Sequence, residues 1–162
     1  TQITNTAVLN NNIQIDSEIS EETKNIKIFG IFDPADNDFD LNMWSQTDAD
    51  NVRSSMKRIN KIKLSNTATK LFESTILSIA YPPRGMEEKE FLDLKIDWLI
   101  DNKRIDLIEK FLKQNQTFPN KKELIQYLVD NNIAKANIKE GCDKINFLDK
   151  DIKDSYLEKF KI

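Results

Sequence analysis

The chain of 162 residues has no histidine, one cysteine (Cys142), three glycines and four prolines. Each shortage excludes something. Without imidazole there is no Ser-His or Cys-His nucleophile pair and no ordinary histidine zinc site. A lone cysteine cannot close an internal disulfide, so the redox compartment is not legible from it. Three glycines leave little room for glycine-dependent tight turns and supply no glycine-rich phosphate loop. This favours helices joined by short polar loops. No apolar run approaches the roughly 18 to 20 residues of a membrane-spanning helix. A net charge of -3 and a pI near 5.2 give no overall electrostatic reason to bind nucleic acid or an anionic membrane.

What is present is ordinary globular material, 39% apolar and 31% charged, enough for one domain with a real core. Residues 1–40 read as an extended or irregular N-terminal arm, with short alternations such as Ile13-Gln14-Ile15 and Ile26-Lys27-Ile28-Phe29 and no helical period. Residues 41–162 carry helical spacing throughout. A first helix is expected from Asp48 to Asn60, capped by Thr47, with Ala49, Val52, Met56 and Ile59 on one face. A second follows Ser65 and runs to Ala80, where Tyr81-Pro82-Pro83 stops it. A third spans Glu87 to Asn102 and a fourth Ile105 to Gln114, making an antiparallel hairpin. The next hairpin starts after Pro119-Asn120, turns at Asp130-Asn131-Asn132 and returns through Ile133, Ala134, Ile138, Cys142 and Ile145. A last helix is expected from Ile152 to Phe160.

The stretch Trp98-Leu99-Ile100-Asp101-Asn102 returns as Tyr127-Leu128-Val129-Asp130-Asn131 after 29 residues, and Tyr156-Leu157 opens a fainter third copy. Short hairpins of any antiparallel bundle could show such a recurrence, but aromatic, Leu, aliphatic, Asp and Asn in one order point to a repeat array. In such an array each unit buries its apolar face against its neighbours. The expected fold is all-α, a short α-solenoid of stacked hairpins whose repeat core is Trp98, Leu99, Tyr127, Leu128, Tyr156 and Leu157. Ending on the first helix of a unit leads us to expect further chain beyond Ile162, or another chain against the exposed face. Thr1 in first place fits a removed signal segment or a trimmed chain.

Met43-Trp44 followed by Thr47, the helix from Ser65 closed by Pro82-Pro83, and the Trp98 hairpin together resemble a family of uncharacterised, exported alphaproteobacterial proteins with tetratricopeptide-like helical repeats. The likeness spans about residues 13–162. It implies export to the periplasm or cell envelope and a longer helical chain, with a second cysteine beyond the present end as a partner for Cys142. It implies no activity. The repeat length and the missing small-residue packing positions depart from the stricter tetratricopeptide pattern.

Few residues suggest chemistry. Asp36, Asp38 and Asp40 follow Asp33 and begin like a calcium loop, but Leu41 stands where the bend needs glycine and Thr47 where a bidentate Glu belongs, so a solvated acidic turn is expected. Arg53, Lys57, Arg58, Lys61 and Lys63 form a basic cluster without interleaved aromatics, read as a solvated helix face. Asp93 and Asp97 stand one turn apart beside Lys89, as an ion-paired surface. Cys142 sits at an apolar position and is expected as a buried thiol. Asn115-Gln116-Thr117 matches the glycosylation sequon, which means little in a bacterial chain.

No catalytic residue, cofactor or metal is therefore assigned. The expected function is a non-enzymatic interaction or scaffolding module with a protein partner or a second copy, and without nucleic acid. The alternatives are a small α-helical ligand-binding protein or enzyme with a carboxylate, Tyr and Asn pocket, and a purely structural piece of a larger chain.

Overall fold

A computed structural model of the chain describes residues 27–149 and 154–160. Residues 1–26 of the expected arm and Ile152 of the expected last helix lie outside these. Six helices and no named strand occur among the described residues: α1 Ala49–Ile59, α2 Asn66–Ile76, α3 Glu88–Asp101, α4 Ile105–Gln114, α5 Lys121–Ala134 and α6 Ile138–Asp143. The described chain is mostly helical. No helix among these residues is long and apolar enough to cross a membrane.

The α1 face is as expected, with Ala49, Val52 and Met56 buried and Ile59 half-buried. Its cap is not. Asp48 takes the N-cap position, and the Thr47 carbonyl instead accepts from the Arg84 amide while the Arg84 carbonyl accepts from the Ala49 amide. Ser65 caps α2, its hydroxyl accepting from the Ala68 amide at 3.2 Å. The helix ends at Ile76, four residues before the expected Ala80. Leu77 caps the helix end at φ -92° and ψ 6°, and Ser78 and Ala80 stay buried outside the helix, because a short crossing chain takes over the backbone groups here: Ile31 N–H donates to the Leu77 carbonyl at 2.7 Å and Ile79 N–H to the Phe32 carbonyl at 2.9 Å. A backbone buried on both sides keeps its apolar composition without keeping its helix.

Helices α3 and α5 are both 14 residues long and close in the same way. Lys103 adopts a left-handed φ of 53°, its amide bonding to the Ile100 carbonyl and that of Arg104 to the Leu99 carbonyl. Ala136 repeats this at φ 61°, with its amide on Ile133 and that of Asn137 on Asn132. The turn expected at Asp130-Asn131-Asn132 is thus wrong: those residues are helical, and the chain reverses at 135–137. Lys121 follows Glu88, Ala134 follows Asp101 and Ile138 follows Ile105, each by 33 residues rather than 29, although α6 has 6 residues where α4 has 10. The two registers differ by about one helical turn, and a one-turn slip keeps the same face inward.

The core runs through both hairpins. Leu99, Ile108, Phe111, Leu124, Ile125, Leu128 and Val129 have no exposed surface, and full burial of such side chains stabilises by about 1.5–3 kcal/mol each. Ile138, expected among the apolar residues of the returning helix, stands 53% exposed, and Leu71 of α2 stands 65% exposed. Where a helix was expected to continue through Phe160, residues Leu157–Phe160 form a 3-10 turn, closed by Asp154, whose carboxylate accepts from the Tyr156 and Leu157 amides at 3.0 and 2.8 Å.

Candidate functional site

Of the six residues expected as repeat core, Trp98, Leu99, Leu128 and Leu157 are buried, whereas Tyr127 and Tyr156 are half-buried. The Tyr156 hydroxyl donates to the Asp130 carboxylate, which holds the phenol above its ordinary range. The two tyrosines are therefore boundary residues. A phenol needs a hydrogen-bonding partner for its polar tip, and a position at the rim supplies one.

Trp98 stands where α3 ends, its ring edge-on to Phe72 of α2 at 4.5 Å between centroids. Its indole N–H is buried and has no hydrogen-bond partner among the described residues. Beside it opens a cleft of about 440 Å³ between the α1–α2 loop and the end of α3. Ile59, Ile62 and Leu64 supply its apolar lining with Trp98, and Lys63 and Asp101 its charges. The loop is built by short local bonds, Lys61 N–H to the Arg58 carbonyl and Ile62 N–H to the Ile59 carbonyl, both at 3.1 Å. That tight reversal leaves Ile62 59% exposed. Asn102, also in the lining, is fixed by its side-chain amide donating to the Trp98 carbonyl at 3.0 Å.

The basic cluster divides in two. Arg53 donates to both oxygens of Glu90, at 2.6 and 2.7 Å, and to Asp50 at 2.7 Å. Lys57, Arg58, Lys61 and Lys63 are exposed, and none forms an ion pair among the described residues. Lys63 lines the cleft, and Lys57, Arg58 and Lys61 flank its lining residues in sequence.

The acidic candidates stand apart from it. Asp33 accepts from the Ala35 amide at 2.9 Å and Asp40 from the Asn42 amide at 2.7 Å, so these carboxylates cap an exposed turn. Asp93 pairs with Lys89 at 2.6 Å. Asp97 is exposed, yet local desolvation, with Asp101, Asp93 and Glu123 nearby, raises its carboxyl above the ordinary value. Cys142, expected buried, is half-buried and free. Asn115 of the sequon has its side-chain amide engaged on both sides by Gly30, donating at 2.9 Å and accepting at 3.3 Å.

The least foreseen residue is Lys95. Only 1% exposed, it sits in α3 with its Nζ donating to the Phe29 carbonyl at 2.6 Å and the Ser78 carbonyl at 2.9 Å, and 4.4 Å from the Phe91 ring centre. Burial pushes its ammonium down to about 7. The 33-residue offset places Leu128 at the same position of α5, and Phe91, Leu92 and Leu99 at helical spacing around position 95 mark Lys95 as an inward residue. Its charged type hid it. Lys121, buried at the start of α5, likewise binds the Gln116 carbonyl and the Asp149 carboxylate.

No family model matches the chain, and no curated protein or solved structure matches it either.

Proposed function

We propose that the chain is a non-enzymatic helical interaction module, built of stacked hairpins, that uses the cleft beside Trp98 to hold an acidic segment of a protein partner carrying apolar side chains. The observation that carries this reading is the conjunction of that cleft, the 59% exposed Ile62 in its lining, and Lys63 in the lining with Lys57, Arg58 and Lys61 close by in sequence, none of them ion-paired among the described residues. An apolar contact gives affinity, and unpaired like charges select the sign of the partner. Lys95 and Asp97, two groups displaced from their ordinary ionisation, do not line the cleft, which favours a binding surface over a reactive pocket. Following the resemblance, we place this activity in the bacterial cell envelope.

Photo-crosslinking tests it. A benzophenone side chain at position 62 should capture acidic segments, mapped by mass spectrometry, that one at exposed Glu140 does not. Lys61→Glu with Lys63→Glu should abolish the capture. Equal capture from both positions, or capture that survives the charge reversal, sinks the reading.

A further inference from the structure

Residues 27–32 are held much as a peptide is held by a receptor. The groove is made by residues 77–80, one flank of α3 and the C-terminal end of α4. Nearly every polar attachment goes to the segment's main chain: Lys27 N–H to Glu88 at 3.1 Å, the Phe29 carbonyl to Lys95, both backbone groups of Gly30 to Asn115, Ile31 and Phe32 N–H to the Leu77 carbonyl, and the Phe32 carbonyl to Ile79 N–H. Side chains add shape. Phe29 packs on Phe118 at 6.0 Å between ring centres, Ile31 is 2% exposed, and Lys110 lies 4.8 Å over the Phe32 ring.

Gly30 gives the groove its selectivity. A Cβ there would stand 2.6 Å from Ile79 N and from the Ser78 carbonyl carbon, both backbone atoms that cannot turn aside. Only glycine fits between the paired Asn115 amide and the Ser78-Ile79 backbone. Bonds to main chain read extension and not sequence, so the groove selects an extended segment with an aromatic residue, a glycine and an aliphatic residue in that order. The exposed turn that follows, residues 33–40, is closed by its own bonds, Asp36 to Asp33, Asp38 to Ala35 and Phe39 to Pro34.

We propose that this groove is a second, independent peptide-binding site, that residues 27–32 fill it as an internal strap, and that an extended aromatic-Gly-aliphatic segment of a partner protein enters by displacing them. The cleft beside Trp98 shares no residue with it, so the two readings stand or fall separately.

The test uses the full chain with Gly30→Val, which unseats the strap, and a fluorescent peptide of residues 27–33. The variant, still helical by circular dichroism, should bind the peptide about tenfold or more tightly than the unaltered chain. A peptide with valine for glycine should not bind, and adding Asn115→Ala should weaken binding by about tenfold. A helical Gly30→Val chain that binds neither peptide, or both equally, overturns the proposal. So does a one-to-one dimer of Gly30→Val with the unaltered chain in light scattering, which would assign the groove to a second copy. If Gly30→Val does not fold, a protease site placed in the exposed turn at residues 35–38 replaces it. The nicked full chain should exchange its strap for the labelled peptide, and a nicked chain that never does so refutes the idea.

Discussion

The Lys95 ammonium donates to the Phe29 carbonyl at 2.6 Å although 66 residues separate them. This bond joins α3 to the crossing segment, and the 2.9 Å bond to the Ser78 carbonyl joins both to the end of α2. A neutral lysine amine still has two N–H donors for these two carbonyls.

That gives stability a specific pH dependence. Burial lowers the Lys95 value from 10.5 to about 7, so between these limits the unfolded chain binds a proton that the folded chain has released. Stability then rises with pH through this window and is lowest below it, where the buried group is charged, with a span on the order of a few kcal/mol. Urea unfolding at about pH 6.5 and about pH 9.5 should show the increase, and Lys95→Met should flatten it. An equal slope in the variant would assign it to other groups.

Glu73 and Arg104 form a second buried link, between α2 and the α3–α4 turn, with the Glu73 side chain 4% exposed and that of Arg104 28%. Removing the partner leaves a buried carboxylate without its counter-charge. Arg104→Ala should cost about 3 kcal/mol in chemical denaturation, and restoring neutrality with Glu73→Gln on that background should recover part of it. A single-variant loss below about 1 kcal/mol would mean that water reaches the carboxylate.

Trp98 is 3% exposed and packs on Phe72. Trp98→Ala should cost about 3–5 kcal/mol, since the vacated volume lies between two helices and the cleft. Trp98→Phe should cost less than about 1.5 kcal/mol, because it keeps an aromatic face and removes the unpartnered indole N–H. Equal losses for the two would show that the indole finds a partner in solution.

Asp154 fastens the C-terminal turn through Lys122 and the amides of Leu157 and Tyr156, and these hold its carboxyl below the usual range. The stabilisation is complete above the ordinary value of 3.8 and is lost as pH falls through the lower folded value. Acidification should therefore lower the protection factors of amides at residues 154–160, measured against the intrinsic exchange rate at each pH, and Asp154→Asn should lower them at neutral pH. Protection unchanged in the variant would contradict the fastening.

Much of the helical plan was legible in local pattern. Ser65 marks the start of α2 because a hydroxyl can serve the free amides of a first turn, and α4 spans the expected Ile105 to Gln114 because its apolar spacing is regular and bounded by polar turns. Leu99, Leu128 and Leu157, singled out by recurrence, are each completely buried. Of the candidate site, the basic cluster and the Trp98 motif were visible, but not that a cleft lies between them. Loops remote in sequence create that space.

Tertiary structure alone decided the rest, and the reason is the same in each case. Residues 77–80 have helical spacing but lie outside α2, because residues 31 and 32 supply backbone partners from 45 to 47 positions away. Helix α5 runs a turn past Asp130-Asn131, since those polar residues are tolerated at its rim while Leu128 and Val129 anchor its core. Lys95 is buried because two distant carbonyls need donors. Sequence by itself determined which segments favour helix and which faces favour burial, both properties of neighbours along the chain. Where a helix yields, where a charge goes inside and which surface stays open depend on groups brought together only by folding.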